Sequence, residues 1–84
     1  LKNDIHNITL DYESIHPLVD ADVEVLVNDS VNYNISDSEM NLTNKSLEIH
    51  HNFTRVGDHA FTVRLYDERG VVLPVESFVI EFLL

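Results

Sequence analysis

The sequence predicts an all-β protein, built as an antiparallel sandwich of two sheets. Apolar residues recur at every second position along most of the 84-residue chain, which is the period of a half-buried strand. Clusters of turn-forming residues separate these segments, and no stretch with the helical period of about 3.6 residues competes with them. At this length we expect residues 1–84 to form one domain around a single core.

Six segments carry the alternation, and each predicts one strand. Their inward-facing residues are, in chain order, Ile8, Leu10 and Tyr12; Val23, Val25 and Val27; Val31, Tyr33 and Ile35; Leu47, Ile49, His51 and Phe53; His59, Phe61, Val63 and Leu65; and Phe78, Ile80 and Phe82. The last strand is expected to run from Val71 to Phe82, with Pro74 at a bulge or edge because proline donates no ladder hydrogen bond. Shared parity places five residues in the core: Val25, Tyr33, Phe61, Val63 and Phe78.

Turn-forming residues stand between the strands. They are His16-Pro17, Asn28-Asp29-Ser30, Ser36-Asp37-Ser38, Val56-Gly57-Asp58 and Asp67-Glu68-Arg69-Gly70. Short strands at this spacing favour an immunoglobulin-like β-sandwich. The chain has no Trp and no Cys, so the buried tryptophan and disulfide of antibody domains are missing. The core and the sheet hydrogen bonds must therefore hold the domain together.

Charge excludes some partners. Fifteen acidic and five basic residues give a net charge of −10, which repels nucleic-acid phosphates and anionic lipid heads. Neither terminus carries an apolar run long enough to span a bilayer, so we expect no direct membrane insertion by this fragment. We expect the chain to be a piece of a longer extracellular or membrane-anchored protein.

Six of the eight asparagines begin the triplet Asn-x-Ser/Thr, the acceptor for N-linked glycans, where chance would give about one. They are Asn7, Asn28, Asn34, Asn41, Asn44 and Asn52. Asn7, Asn34 and Asn52 have the outward parity of their predicted strands, and the other three fall in predicted turns. Clustering of polar residues in turns explains one or two triplets. The excess indicates a glycosylated surface made in the secretory pathway.

Two stretches resemble the polycystic kidney disease (PKD) domain family. Residues 33–38, Tyr-Asn-Ile-Ser-Asp-Ser, are a degraded form of its Trp-Asp-Phe-Gly-Asp-Gly signature, and residues 51–53, His-Asn-Phe, resemble its His-Thr-Tyr. Gly57, the alternation through Phe61, and then Asp67 and Gly70 match its Gly-x-Tyr-x-Val-x-Leu-x-Val-x-Asp-x-x-Gly run in spacing. The motif residues carrying the resemblance are Tyr33, Asp37, His51, Phe53, Gly57, Phe61, Asp67 and Gly70.

The resemblance implies a PKD-type β-sandwich that serves as a spacer or interaction module in extracellular proteins and is not catalytic by itself. The chain departs from the pattern where Ser36 and Ser38 replace glycines, and serine resists the positive φ that glycine permits. We therefore expect this turn to be built differently. We also expect the Asp37 carboxylate to accept backbone N–H bonds within it.

Metal sites have weaker support. A zinc ion could be held by His50 and His51 if His59 lies across the sheet from them. However, neighbours on a strand point to opposite faces, so His50 and His51 cannot easily share one ion. Packed, hydrogen-bonded rings at His51 and His59 are favoured. Calcium is the better metal alternative, because several carboxylates fall near predicted strand ends. These are Asp20, Asp22, Asp37, Asp67 and Glu68, although a solvated acidic rim is favoured over a bound ion.

Two function classes stay open, and neither requires a cofactor. Ser14 and His16 are close in sequence but have no evident oxyanion hole, which speaks against an enzyme. The first class is an interaction or spacer module of a cell-surface glycoprotein, whose partner is another protein or a neighbouring domain, docked near Tyr66, Arg64, the 67–70 turn or the final strand. The alternative is a carbohydrate- or calcium-binding accessory domain. Tyr66 is the main aromatic residue with outward parity, which favours the first class because sugar sites stack on exposed rings.

Overall fold

The structure is a computed structural model that describes residues 5–71 and 76–83. Within these ranges the strands are β1 (His6–Asp11), β2 (Leu18–Val27), β3 (Val31–Asn34), β4 (Met40–Leu42), β5 (Ser46–His51), β6 (Gly57–Asp67) and β7 (Glu76–Phe82). A single 3₁₀ turn, Asp37–Glu39, joins β3 to β4. Over the same residues, no helix has the length and apolar character needed to cross a membrane.

The strands form two antiparallel sheets, of order β1-β5-β4 and β3-β2-β6-β7. Hairpins join β2 to β3 and β4 to β5, and β7 pairs antiparallel with β6. The chain changes sheet between β1 and β2, between β3 and β4, and between β5 and β6. The predicted all-β fold with two antiparallel sheets is confirmed.

The inward faces of the two sheets share the core. One cluster packs Leu18, Ala21, Val63 and Leu65 of the four-stranded sheet against Leu47 and Ile49 of the three-stranded sheet. The second consists of Val25, Phe53, Phe61 and Phe82. Burying each of the valine, leucine, isoleucine and phenylalanine side chains among them contributes roughly 1.5–3 kcal/mol to folding. Of the five predicted core residues, Val25, Phe61 and Val63 are buried, and Tyr33 and Phe78 are half-buried beside the second cluster.

Several strands differ from the predicted boundaries. β2 begins at Leu18, upstream of the predicted segment, because an irregularity between Leu18 and Asp20 shifts its pairing with β6 and interrupts the alternation there. β7 begins at Glu76, and the predicted bulge at Pro74 lies outside the described residues. The expected turn at Val56-Gly57-Asp58 is also wrong in part, since Gly57 and Asp58 already belong to β6.

One strand was not predicted at all. β4 has three residues, with Met40 and Leu42 half-buried and Asn41 exposed. It pairs with β5 in the register Met40 to Ile49 and Leu42 to Leu47. Such a short element shows only one period of alternation, which is too little to separate it from a loop by sequence. The placement of Asn41 in a turn is therefore wrong.

The turn between β3 and β4 is closed by Glu39. The Glu39 carboxylate accepts hydrogen bonds from the backbone N–H of Ser36, at 3.1 Å, and from its hydroxyl, at 3.0 Å. Ser36 has a φ of −86°, so serine is accommodated without the positive φ of a glycine. No described hydrogen bond reaches the Asp37 carboxylate, and the role expected for it belongs to Glu39. The pattern Ser-x-x-Glu at positions 36–39, a capping box, was the sequence signal for this contact.

Candidate functional site

Three of the glycan-acceptor triplets lie on or beside one face of the molecule. Asn7 on β1 and Asn41 on β4 are exposed on the outer face of the three-stranded sheet, where they pair with His50 and Glu48 of the central strand. Asn44 is exposed in the hairpin that joins β4 to β5. This outer face therefore presents acceptor asparagines on both of its edge strands.

Two more acceptors flank the other sheet. Asn34 is exposed on β3, an edge strand of the four-stranded sheet. Asn28 is exposed in the β2–β3 hairpin, with a left-handed φ of 49° that is followed by 63° at Asp29, as expected for a hairpin turn of type I′. The Asn28 Oδ1 atom accepts the Asp58 backbone N–H at 3.1 Å. The Asn28 amide group is therefore part of the contact between this hairpin and β6.

Asn52 does not face solvent as strand parity predicted. β5 ends at His51, so the alternation does not extend to the next residue. Asn52 is half-buried and its Oδ1 atom is buried. The prediction of an outward, accessible acceptor is wrong at this position.

The motif residues near the middle of the chain form an aromatic cluster around Phe53. The Phe53 ring lies 4.7 Å from His51, 5.4 Å from Tyr33 and 5.7 Å from Phe61, measured between ring centroids. The Tyr33 hydroxyl accepts the backbone N–H groups of residues 54 and 55 at 3.2 and 3.0 Å. These contacts hold the segment that connects β5 to β6, so the described role of these motif residues is structural.

The histidines occupy different environments. His50 faces outward, with Nδ1 2.8 Å from the Asn7 Oδ1 atom and Nε2 3.1 Å from the Glu48 carboxylate. His51 turns inward and pairs with the Glu39 carboxylate, so the predicted opposite orientation of the two is confirmed. His59 is fully buried, more than expected, with Nδ1 3.0 Å from the Gly57 carbonyl oxygen.

Glu39 combines burial with strong hydrogen bonding. Burial by itself would raise the pKa of the Glu39 carboxyl, but hydrogen bonds from Ser36 and His51 outweigh it and lower this pKa. The charged carboxylate is therefore stabilised where the turn between β3 and β4 meets the aromatic cluster.

The carboxylates considered for calcium make separate contacts. Asp67 is buried and accepts bonds from the Arg69 guanidinium at 2.8 and 3.1 Å. Asp22 accepts the Tyr66 hydroxyl at 3.0 Å, and Glu68 lies 3.0 Å from His16 Nδ1. Over residues 5–71 and 76–83, no group of three or more His, Cys, Asp or Glu side chains is arranged to hold a metal ion.

Clefts on the described surface include one of about 450 Å³ lined by Glu13, Ser14, Ile15 and Lys45, and one of about 380 Å³ whose lining includes Asp22, Asn34 and Arg64. One of about 170 Å³ lies between β2 and β4 and is lined by Val19, Asp20, Asp37 and Met40, among others. The Ser14 hydroxyl donates to the main-chain carbonyl of His16 at 2.6 Å, and does not contact its imidazole in any described hydrogen bond.

The outer face of the four-stranded sheet carries the predicted docking residues Tyr66 and Arg64. Tyr66 is half-buried and Arg64 is exposed. The bond that the Tyr66 hydroxyl donates to Asp22 raises the pKa of this tyrosine. Arg64 stands opposite Asp22 in the β2–β6 register. Both side chains therefore have acidic neighbours on β2.

Comparisons of the chain with protein-family models, with curated proteins and with solved structures give no match.

Proposed function

We propose that this chain is a non-catalytic, PKD-like module of an extracellular or cell-surface glycoprotein, and that it mediates contacts with another protein or with neighbouring domains. The observation that carries the proposal is the distribution of the acceptor triplets. Asn7, Asn41 and Asn44 lie exposed on or beside one sheet, while the central and final strands of the other sheet have none. Glycans on one sheet and on the edge strand β3 leave the central and final strands of the four-stranded sheet for protein contacts.

The strand order supports an immunoglobulin-like arrangement. In such sandwiches one sheet contains strands A, B, E and D, and the other contains C, F and G, to which variable-type domains add C′ and C″. The orders β1-β5-β4 and β3-β2-β6-β7 correspond to these if β1 is taken as strand B. The aromatic cluster of Tyr33, His51, Phe53 and Phe61 supports a PKD-like domain in particular, because the resembling motif residues meet there.

The surface chemistry gives the alternative less support. A carbohydrate site stacks sugar rings on exposed aromatic side chains, but the described outward ring, Tyr66, is half-buried and tied to Asp22. A calcium site requires several converging oxygen ligands, and Asp67 is already engaged by Arg69. Interaction through a protein surface is the function that we favour.

Secretion from a eukaryotic cell tests the glycoprotein part of this proposal. The purified domain is digested and its glycopeptides are identified by mass spectrometry, before and after enzymatic removal of N-glycans. We expect sugar at Asn7, Asn34, Asn41 and Asn44, each of which is exposed, but not at Asn28, which is also exposed but whose amide is bonded to the Asp58 backbone. Variants with glutamine at these four positions are the control and should lose the corresponding mass. A secreted domain without glycan at any of the six triplets would contradict the proposal.

A further inference from the structure

An apolar row crosses the outer face of the four-stranded sheet. Leu26 on β2 pairs with Ala60 on β6, and Ala60 pairs with Val79 on β7, so the three residues lie side by side. Val79 is 63% exposed, and Leu26 and Ala60 are half-buried. Neighbouring strands are about 4.8 Å apart, so the row forms a continuous strip across three strands.

Acidic residues border this strip on both sides. Glu24 precedes Leu26 on the outward side of β2, and beyond it stand Asp22 and Asp20. On the other side Asp58 of β6 and Glu81 of β7 are directly paired, and both are exposed. Arg64 is the basic residue among the outward-facing positions of these three described strands. The face is therefore strongly negative around an apolar centre.

The pair Asp58 and Glu81 points to a basic ligand. Like charges directly opposite each other on adjacent strands destabilise a sheet. Neither carboxylate forms an ion pair within the described part of the chain, so the repulsion between them is not compensated there. A cationic group docked between them would relieve it, and in such a complex the charges would complement each other.

Little glycan is expected over this strip. Of the acceptor triplets, Asn34 lies on the edge strand β3 and is paired with Glu24 of β2, so a glycan there borders the strip on the β2 side and is farthest from β7. Asn28 stands in the hairpin at the end of the sheet, with its amide against Gly57 and Asp58. The surface formed by β6 and β7, with Leu26 at its border on β2, is therefore open to a macromolecule.

We propose that the outer face of β2, β6 and β7 binds a basic protein surface with an apolar centre, which sits on Leu26, Ala60 and Val79 while its cations meet Asp58 and Glu81. This proposal rests on the proposed function as an interaction module and adds the location and the chemistry of the partner. A second copy of the chain is the poorer occupant, because each copy carries a net charge of −10.

The test uses a short synthetic peptide in which lysine alternates with valine, and an analogue in which glutamate replaces lysine. Isotope-labelled domain is titrated with each peptide, and the backbone amide signals are followed by NMR at low and at high salt. We expect the lysine peptide alone to shift the signals of Leu26, Ala60 and Val79, with affinity that falls as salt rises.

Two matched pairs of variants test the location. Val79→Ser should weaken the lysine peptide about fivefold or more, as truncation of a central interface residue does. Val19→Ser is its control, because Val19 is 60% exposed but lies outside the apolar row. Glu81→Gln should weaken binding more than Glu48→Gln, whose carboxylate lies on the other sheet.

The docking proposal is overturned if the lysine peptide does not bind at low salt, if the glutamate analogue binds equally well, or if the shifts centre on the three-stranded sheet. Equal effects of Val79→Ser and Val19→Ser would overturn it as well. Failure of the proposed function has a different signature. A secreted domain that binds the peptide at this face but carries no glycan contradicts the glycoprotein assignment alone.

Discussion

At the scale of single residues, the two glycines have positive φ angles but different surroundings. Gly57 has a φ of 111°, and a Cβ atom added there would lie 2.5 Å from the Asn28 Oδ1 atom. Gly70 has a φ of 76°, and a Cβ atom would meet nothing within 4 Å. The absence of a side chain at Gly57 is what lets the β2–β3 hairpin dock on β6.

We therefore expect Gly57→Ala to destabilise the domain more than Gly70→Ala. Both variants carry backbone strain of roughly 1–3 kcal/mol, but Gly57→Ala also displaces the Asn28 amide from its bond to Asp58, which costs about 0.5–1.5 kcal/mol more. Urea unfolding measures both. In a background of Asn28→Ala the extra cost should largely disappear, and equal costs for the two glycine variants in the original chain would refute this account.

Asp67 links stability to acid pH. Hydrogen bonds from the Arg69 guanidinium, joined by backbone N–H groups of Arg69 and Val71, outweigh the effect of burial and lower the pKa of this carboxyl. The pKa of an aspartate in an unfolded chain is about 3.9. Because the folded pKa is lower, the stability contributed by Asp67 is present above that pH and is lost as the pH falls through the folded pKa.

Unfolding free energies measured between about pH 5 and pH 2 should therefore decline less steeply for Asp67→Asn than for the original chain. Arg69→Gln removes the first cause of the lowered pKa and should reduce the slope in the same direction. An unchanged slope in both variants would show that Asp67 does not contribute to acid unfolding.

At the scale of elements, period two predicted a strand wherever one face is buried over several residues. β6 runs for 11 residues with alternating burial; its inward residues His59, Phe61, Val63 and Leu65 were predicted, whereas the buried Asp67 at its end was expected in a turn. The alternation does not show where a strand ends. It continues in sequence through Asn52, but β5 ends at His51, and Asn52 is half-buried instead of facing outward. β4 has three residues, which are too few for the alternation to distinguish a strand from a loop. The candidate acceptor sites were readable as triplets, but their distribution over the two faces depends on which strands pair, which local pattern does not encode.

The turn between β3 and β4 gives a prediction at this scale. Glu39→Ala removes the carboxylate that accepts from Ser36 and pairs with His51, and should cost about 0.5–2 kcal/mol, the usual loss for a capping contact. Asp37→Ala, which removes an exposed carboxylate from the same turn, is the matched control and should change stability by less than about 0.5 kcal/mol. Thermal unfolding followed by circular dichroism distinguishes them, and a larger loss for Asp37→Ala would restore the role first expected for it.

At the scale of the whole molecule, the net negative charge opposes folding. A net charge of −10 on 84 residues repels itself in the compact state, and the paired Asp58 and Glu81 concentrate that repulsion on the proposed docking face. Residues that serve function often lower the stability of the free protein, and this pair on the proposed docking face would be such a case.

Glu81→Lys should therefore stabilise the free domain and weaken its binding to the lysine peptide. Lysine opposite Asp58 exchanges a repulsive pair for an attractive one, worth about 0.2–1 kcal/mol across a strand pair, and the gain should shrink as added salt screens it. Glu13→Lys is the control, because it changes the net charge of −10 by the same amount as Glu81→Lys. Glu13 is exposed and lies outside both sheets. If both variants gain equal stability, the effect comes from net charge alone, and the Asp58–Glu81 pair has no special part in it. If Glu81→Lys gains more stability than Glu13→Lys and also binds the lysine peptide more weakly, then Asp58 and Glu81 both lower the stability of the free domain and contribute to peptide binding.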